Sequence, residues 1–509
     1  MKAIVVGSGI SGLTAACYLV DRNYEVAVFE QYPAIGGVTG SISRDGFTWN
    51  QGQLLIEGFS KGEQAGNVLA DIALTDKIDL IRSDRVYSFP GYKIEKKETY
   101  DGPLWRMQHF KDLFPADTGG LNRYYRDYVR FMELMTLARR SERSSGLPAA
   151  LLKLKLYLKL LPFLPVLKWD ARKLSDRYFK SHKLQAAFLS ILADFVVRPS
   201  EFQGLGIFAV NPEPAFDLRT PLQLSKTGFQ PGYTYVKGGV GSIIEQMADK
   251  VTSKQGKIIT DAVVQKILVE NEKAIGVQLS SGDLFFADQV FVSGGAREFV
   301  DLLDGADIPD SLQNHVEELP LMESVFMVHL GVKYDPGVHQ KAATTYYYNT
   351  YDIEGSIDEV KSGIYHEGKH GFVIYIPSKH TPEMAPDGHH AVTIYTIAPN
   401  NLDEGSWEDR KEEMSDKLIA EAEKYIPGLN KNTVVKLIVT PDDFKNRTHL
   451  KHHAFGGVAP VMGKKGLPHQ TPFKNLWFIG AQSESGAGMN NVMEGVWRAI
   501  KKMDQSVDG

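Results

Sequence analysis

The chain has 509 residues, which is too long for one simple hydrophobic core, so we expect at least two substructures. Its 43% hydrophobic and 23% charged residues are typical of a folded protein, and a net charge of -5 favours no nucleic-acid partner. The single cysteine, Cys17, excludes an internal disulfide, and we expect it to be buried. No secretory leader and no apolar run of about 18 residues is visible, so we expect a cytoplasmic protein.

The first 30 residues show the pattern of a strand, a helix and a second strand. Branched apolar runs at 3–6 and 25–29 predict two neighbouring buried strands, and apolar residues at helical spacing lie between them. The loop after the first strand carries the glycine pattern G-x-G-x-x-G, which binds dinucleotides in such units. It consists of Gly7, Ser8, Gly9, Ile10, Ser11 and Gly12.

Each glycine of this loop has its own role in holding a pyrophosphate. Gly7 permits the turn, Gly9 lets the backbone approach the phosphates, and Gly12 lets the helix pack on the strand. The helix N-terminus adds favourable potential for negative charge. Glu30, which ends the second strand, is placed to accept hydrogen bonds from a ribose and would repel a 2'-phosphate. The unit therefore disfavours NADP and leaves FAD and NAD open.

The segment after Glu30 favours FAD. A glycine pair, Gly36 and Gly37, follows the acid, and a strand is expected around 41–49 before Gly52. With the opening unit, this segment resembles the FAD-binding half of the phytoene desaturase, carotenoid isomerase and retinol saturase superfamily, which has a flavin amine oxidase-like fold. The chain departs from the family at Val38, where a basic residue often follows the glycine pair.

The C-terminal region supplies the second part of the resemblance. A strand at 476–479 leads into Gly480 and Ala481, and a glycine-rich turn through Gly488 precedes a helix from about Met489. Amides at such a helix start can stabilise negative charge on a reduced flavin, and the resemblance implies this role for Gly488 and Met489. In the middle of the chain, the resemblance places Val264 where backbone atoms meet the adenine.

The resemblance extends over nearly the whole chain and implies an α/β fold. We expect a three-layer, Rossmann-like FAD-binding domain built from separated segments, with a mixed strand-and-helix substrate domain. The predicted FAD-binding segments are 1–54, 230–323 and 441–509, and the predicted substrate segments are 55–229 and 324–440. No second glycine fingerprint follows a strand, so we expect no separate NAD(P)H domain.

The substrate segments contain two further features. An aromatic stripe, formed by Tyr124, Tyr128, Phe131 and either Leu134 or Met135, is expected mainly to pack in the core. The region 139–173 carries nine basic and two acidic residues among many leucines, and we expect it to contact an anionic membrane. On a helical wheel the leucines scatter around the axis, and two prolines interrupt the region, so no clean amphipathic helix is expected.

The resemblance implies a flavoenzyme that desaturates, saturates or isomerises double bonds of a long polyene or isoprenoid lipid, and the sequence leaves the direction open. The candidates for an assisting group are His449, His452, His453 and Glu484, and of these Glu484 and His453 are the weak candidates for catalysis. His449 and His452 lie near His453 but lack a nearby acid, so no metal site is expected. Amine oxidation is disfavoured by Ala481, where amine oxidases usually carry an acid, and a lipid carrier without turnover is a further alternative.

Overall fold

The computed structural model describes residues 1–52 and 56–507 of the chain, so the predicted boundary between residues 54 and 55 lies outside the described residues. The strands are β1 Lys2–Val6, β2 Glu25–Phe29, β3 Ser41–Arg44, β4 Phe47–Asn50, β5 Ile56–Glu57, β6 Leu80–Arg82, β7 Arg85–Phe89, β8 Tyr92–Ile94, β9 Tyr233–Val236, β10 Lys257–Ile259, β11 Val264–Glu270, β12 Lys273–Leu279, β13 Leu284–Phe286, β14 Gln289–Ser293, β15 Ser324–Val332, β16 Thr344–Tyr348, β17 Gly371–Tyr375, β18 His390–Ala398, β19 Thr433–Val439 and β20 Leu476–Ile479.

Helices make up most of the region between β8 and β9 and also occur along the rest of the described residues. They are α1 Ile10–Asp21, α2 Gln64–Asp71, α3 Trp105–Leu113, α4 Thr118–Glu142, α5 Gly146–Leu160, α6 Ala171–Tyr178, α7 His182–Leu189, α8 Gly206–Ala209, α9 Gly241–Ser253, α10 Ala296–Asp301, α11 Asp310–Glu317, α12 Ile353–Lys361, α13 Trp407–Glu423, α14 Pro441–Thr448 and α15 Met489–Val507.

A parallel sheet of five strands forms the centre of the first substructure, in the order β10, β2, β1, β14, β20. Its strands come from the three segments that the sequence assigned to the FAD-binding domain. Helices α1, α9 and α15 pack together on one face, and the antiparallel strands β11, β12 and β13 cover the other. This arrangement confirms the predicted three-layer α/β fold.

A mixed sheet of seven strands forms the second substructure, in the order β19, β15, β18, β17, β16, β7, β8. Strand β7 comes from the N-terminal half of the chain and pairs in parallel with β16. Strands β15 to β19 of this sheet lie within the segment 324–440 that the sequence assigned to the substrate domain. Tyr124 and Tyr128 lie in the core beside this sheet, as the aromatic stripe predicted.

The expected strand around 41–49 is instead the hairpin β3–β4. The chain reverses at Asp45 and Gly46, whose φ angles of 51° and 82° place both residues in the left-handed region. Gly46 adopts this conformation at no steric cost, and aspartate tolerates it. Ser41 to Arg44 then pairs with Phe47 to Asn50 in antiparallel register.

The leucine-rich part of 139–173 forms the helix α5, and its leucines lie on both faces of the helix, in agreement with the helical wheel. Ala149, Leu152, Leu156 and Leu160 face the protein, and α5 packs against α4. On the opposite face, positions spaced by four, three, four and three residues form an exposed stripe of leucines. This leucine stripe consists of Leu147, Leu151, Leu154, Leu158 and Leu161, each more than half exposed.

The helical wheel could not show which leucines are buried, because both faces of α5 are apolar. Only packing against α4 distinguishes the buried face from the exposed one. Helix α5 ends at Leu160 and continues as a short 3-10 helix through Pro162 and Pro165, so the predicted interruption is confirmed. No helix among the described residues is long and apolar enough to cross a membrane.

Candidate functional site

The glycine loop has the geometry of a phosphate cradle. A Cβ added at Gly9 would meet no atom of the described residues within 4 Å, so the side of the loop at Gly9 is open. A Cβ at Gly12 would lie 1.9 Å from the Gly7 carbonyl oxygen, so this glycine is required by contact between α1 and the loop. Gly7 has a φ of +93°, which favours glycine. The turn at Gly7 and the close helix contact at Gly12 are as expected from the sequence, and the approach of phosphates to Gly9 stays a prediction.

Glu30 lies buried beside this loop at the end of β2. Its carboxylate accepts hydrogen bonds from the Ser8 amide at 2.8 Å, from the Ser8 hydroxyl at 2.6 Å and from the Tyr32 amide at 2.9 Å. The Glu30 carbonyl accepts a further bond from the Ala262 amide, which brings the start of β11 and Val264 to the same edge of the sheet. Glu30 therefore shapes the loop and also places a negative charge beside the cradle.

The glycine pair lies directly on the dinucleotide loop. The Gly36 amide donates to the Ser8 carbonyl at 3.1 Å, and Gly37 approaches Gly9 closely. Arg447, on α14, donates from Nε to the Gly37 carbonyl at 2.7 Å, and its guanidinium lies 4.6 Å from the centre of the Tyr32 ring. Arg447 thus supplies a cation to this loop, although Val38 stands at the position where the family often has a basic residue.

The C-terminal turn closes the same site from the opposite side. Gly480, with a φ of +114°, lies beside Ser11, and Ser11 donates a hydrogen bond to Ser293 at the end of β14. Gly488 has a φ of +97° and precedes Met489, the first residue of α15. The structure therefore brings Gly480, at the end of β20, to the start of α1 at the carboxyl edge of the parallel sheet, where open α/β sheets bind ligands.

A cavity of about 510 Å³ extends from this turn into the second substructure. Gly486 to Asn491 form part of one end, and Phe131, Met132 and Met135 of α4 form an apolar wall, so the aromatic stripe contributes both to the core and to the cavity. Four charged residues also line it, and none had been found from the sequence. They are Glu57, Arg85, Arg139 and Asp194.

Burial changes the protonation of these cavity residues. It raises the pKa of Asp194 from its ordinary value to about 7, against the opposing effect of Arg85. It also raises the pKa of Glu57, while the burial of Arg139 lowers the pKa of that guanidinium. Since a carboxyl with a raised pKa is more often neutral and a guanidinium stays charged near neutral pH, the cavity wall is positive on balance.

The two weak catalytic candidates lie outside the lining of this cavity. His453 is buried with its ring stacked on Phe444 at 4.7 Å, and burial lowers its pKa to about 3. Glu484 accepts hydrogen bonds from Lys502 and from the His469 amide, and these outweigh the effect of burial and lower its pKa. Both contacts point to structural roles, and the catalytic assignment of these two residues stays a prediction.

The neighbouring histidines have other partners. His452 Nε2 lies 2.9 Å from the Met322 carbonyl, and His449 is the left-handed residue that ends α14. Across residues 1–52 and 56–507, no cluster of three or more histidine, cysteine, aspartate or glutamate side chains has metal-binding geometry. Cys17 is buried in α1, and burial raises the pKa of its thiol to about 12, as expected for an inert core residue.

The open phosphate loop, the buried acid at the end of β2 and the helix start facing a large cavity define an oxidoreductase of the dinucleotide-binding class. The sequence of residues 10–499 matches the family described as flavin containing amine oxidoreductase. The chain belongs to this family and is a flavin-dependent oxidoreductase.

Within that family, the chain is similar to carotenoid enzymes. It is 27% identical to prolycopene isomerase 2, chloroplastic, of an Oncidium hybrid cultivar, with 96% of this chain and 81% of the relative covered. It is 24% identical to the zeta-carotene-forming phytoene desaturase of Myxococcus xanthus, with 97% and 92% covered. The crystal structure of an oxidoreductase from Methanosarcina mazei has the same fold, with a TM-score of 0.66, 18% identity and 98% and 100% coverage. The resemblance to the carotenoid desaturase and isomerase superfamily is confirmed.

Proposed function

We propose that this protein uses FAD to oxidise, reduce or isomerise carbon-carbon double bonds in a long isoprenoid or polyene lipid. The observation that carries the proposal is the cavity of about 510 Å³ that joins the start of α15 to the apolar wall of α4. A cavity of this size and lining suits a lipid chain. The similarity to a prolycopene isomerase and a phytoene desaturase supports the same substrate class.

The residues around the phosphate loop fit FAD. In the proposal, the first amides of α1 and the open side of Gly9 hold the pyrophosphate, and Glu30 meets the ribose. Val264 lies at the edge where the adenine is expected. When bound, FAD supplies an acceptor and donor of hydride. The amides at Gly488 and Met489 stabilise negative charge on the flavin, and the apolar cavity excludes water from the reacting carbons.

The charges of the cavity argue against an amine substrate. Arg85 and Arg139 remain cationic and would repel an ammonium group, whereas burial favours the neutral forms of Glu57 and Asp194. A carrier without turnover would not need a helix start aimed at the end of the lipid cavity. The same reasoning therefore favours an enzyme that acts on a lipid.

We test the reaction with the purified flavoprotein under anaerobic conditions. Carotenoids, retinoids and unsaturated fatty acids are each incubated with oxidised and with reduced enzyme. The products are separated by chromatography, and their molecular masses are determined by mass spectrometry. We expect either a change of two hydrogens per double bond or a product of unchanged mass with a new retention time. Unaltered lipids throughout the panel would contradict the proposal.

We also propose that the protein collects its lipid at the cytoplasmic surface of an anionic membrane. The leucine stripe of α5 is exposed, Lys153 and Lys155 are exposed beside it, and α5 packs on α4, which lines the cavity. Lysines near an anionic bilayer each contribute on the order of 1 kcal/mol, and inserted leucines add to this. Lys159, by contrast, pairs with Glu133 of α4 at 2.5 Å and belongs partly to the fold.

The membrane proposal is tested by sedimentation with phosphatidylserine vesicles. We expect Lys153→Glu/Lys155→Glu and, separately, Leu151→Ser/Leu154→Ser to lower the bound fraction by about tenfold while flavin content is unchanged. The matched control is Lys341→Glu/Lys431→Glu, which reverses two exposed lysines elsewhere. Equal binding of the α5 variants and the control would leave α5 as an ordinary surface helix.

A further inference from the structure

The deep part of the cavity contains a polar cluster that a pure hydrocarbon could not use. The cluster consists of Arg85 on β7, Asp194 in the turn after α7, Tyr233 on β9, Thr344 and Tyr346 on β16, and Tyr395 on β18. All six residues line the cavity, and they come from five separate elements. Burying so many polar groups is costly unless they have partners.

Among the described residues Arg85 forms no ion pair within 4 Å, although the carboxyl groups of Asp194 and Glu57 line the same cavity and interact with it at longer range. Its Nη2 donates to the Val210 carbonyl at 3.1 Å and its Nη1 to the Tyr233 hydroxyl at 3.4 Å, while Nε has no hydrogen-bond acceptor there. The guanidinium carbon lies 5.0 Å from the ring centres of Tyr87 and Tyr233. The side chain is thus a buried cation held by aromatic rings and neutral oxygens, with donors to spare.

The same protein shows how a buried arginine looks when its role is structural. Arg106 is fully buried and lies 2.7 Å from Glu213, which is also fully buried. Its Nε donates to the same carboxylate at 3.0 Å, and its Nη2 also donates to the Asn211 carbonyl at 2.9 Å. Arg106 is compensated inside the fold. Arg85 has no such direct carboxylate contact, burial favours the neutral forms of Asp194 and Glu57, and Arg85 lines a cavity, so an anion that bonds directly to its free donors would enter from outside.

Two further groups of the cluster point to the same ligand chemistry. Thr344 is buried, and its hydroxyl has no partner among the described residues. Tyr346 and Tyr395 bring phenol groups to the same wall. A hydroxyl can donate to a carboxylate oxygen, and a guanidinium can donate two parallel bonds to it. Phe131, Met132 and Met135 of α4 give the same cavity an apolar wall.

We propose that the substrate is an amphiphile, in which a carboxylate end binds Arg85 and its apolar chain extends along α4 towards Met489. This inference rests on the proposed function and specifies its substrate class. The polar cluster would fix how far the chain enters, and so would select which double bond lies at the flavin end of the cavity. Chain length and head group would then together determine the position of reaction.

The cluster also predicts how binding depends on pH. Asp194 is faced by Arg85 and Tyr87 of β7, by Tyr346 and Tyr348 of β16 and by Tyr395 of β18. It also lines a second, smaller cavity together with His366 and His370, and Tyr233 of β9 accepts a hydrogen bond from Arg85. Burial lowers the pKa of His366 to about 3, and His370 pairs with Glu359 of α12. Because burial raises the pKa of Asp194 to about 7, a bound carboxylate favours its protonated form. Binding of the acid therefore weakens as the pH rises through 7.

The experiment compares three ligands of equal chain length: geranylgeranoic acid, geranylgeraniol and a C20 isoprenoid hydrocarbon. Binding to the flavoprotein is followed by perturbation of flavin absorption and, independently of flavin, by calorimetry. We expect the acid to bind about ten to one hundred times more tightly than the other two ligands. Arg85→Gln should abolish this preference, whereas Arg82→Gln, on the neighbouring strand and outside the cavity lining, should keep it.

Two further variants keep the test decisive if Arg85→Gln fails to fold. Thr344→Val should weaken binding of the acid severalfold and leave the hydrocarbon unchanged. Asp194→Asn should remove the decrease in acid affinity between pH 6 and pH 8. Equal binding of acid and hydrocarbon to the wild type would overturn the proposal, and so would a preference that survives Arg85→Gln but is lost in Arg139→Gln. Calorimetry reports acid binding even if the protein alters no double bond, so failure of the proposed reaction is recognised separately.

Discussion

The open side of the phosphate loop makes a sharp prediction for Gly9→Val. Gly9 has a φ of -66° and a ψ of 177°, which any residue can adopt, and an added Cβ would meet nothing within 4 Å. The valine side chain therefore costs the apoprotein less than about 1 kcal/mol of unfolding free energy. It does, however, occupy the space assigned to the pyrophosphate.

The loss in FAD binding can be worked out from the bonds that become unavailable. If two amides at the start of α1 lose a charged phosphate partner, the loss is about 3–6 kcal/mol, or roughly a hundredfold to ten-thousandfold in Kd. Gly12→Ala is the matched control, because its Cβ would lie 1.9 Å from the Gly7 carbonyl oxygen. That clash should destabilise the fold by about 1–3 kcal/mol or more.

Both effects are measured on apoprotein, by urea denaturation and by FAD titration followed through flavin fluorescence. We expect Gly9→Val to keep the wild-type urea midpoint and lose FAD, and Gly12→Ala to lower the midpoint. Wild-type FAD affinity in Gly9→Val would refute the assignment of the open space to the pyrophosphate.

Four other changes give separate tests of the structure. Glu30→Ala should weaken FAD binding at least about tenfold, because it removes both the acid and its bonds to Ser8. It should not create a requirement for NADPH. An unchanged FAD titration would show that Glu30 does not contact the cofactor. Arg447→Met should also lower FAD affinity, because the loop at Gly37 loses its 2.7 Å bond, and stopped-flow release of FAD should be faster. Arg106→Met should lower the unfolding free energy by about 3–5 kcal/mol in urea, since it leaves Glu213 buried without its partner. Burial raises the pKa of Asp194 from 3.8 to about 7. The contribution of Asp194 to stability is therefore full below about pH 4 and decreases as the pH rises towards 7. Asp194→Asn should accordingly raise the melting temperature at pH 8 and not at pH 4.

Local patterns made the first substructure predictable. The glycine loop, the helix from Ile10 and the acid at Glu30 all lie within about one β-α-β unit, where spacing along the chain determines spacing in the fold. The glycine turn before Met489 was predictable for the same reason, since it follows a short apolar strand. The convergence of these segments on one sheet edge came from the family resemblance and is confirmed by the strand order.

The polar wall of the cavity was not predictable, because its residues meet only through long-range strand pairing. Arg85 reaches Tyr346 because β7 pairs with β16, more than 250 residues later in the chain. The bond from Arg447 to Gly37 likewise spans 410 residues. Helix α5 shows a different limit of sequence-based prediction. A helical wheel places Leu151 and Leu152 on different faces, but it cannot show which of these apolar faces packs against α4. In each case the missing information is tertiary contact.

The central claim is that a flavin at the start of α15 reacts with a lipid double bond in the adjoining cavity. The most direct measurement is product analysis, by chromatography and mass spectrometry, of a polyene or isoprenoid lipid incubated anaerobically with the oxidised and with the reduced protein. In parallel, the flavin spectrum of the oxidised protein is recorded after addition of putrescine. The account predicts that the lipid is converted to a product with altered hydrogen content or altered double-bond geometry, and that putrescine leaves the oxidised spectrum unchanged. Bleaching of the oxidised flavin by putrescine, with every lipid recovered unaltered, would contradict it.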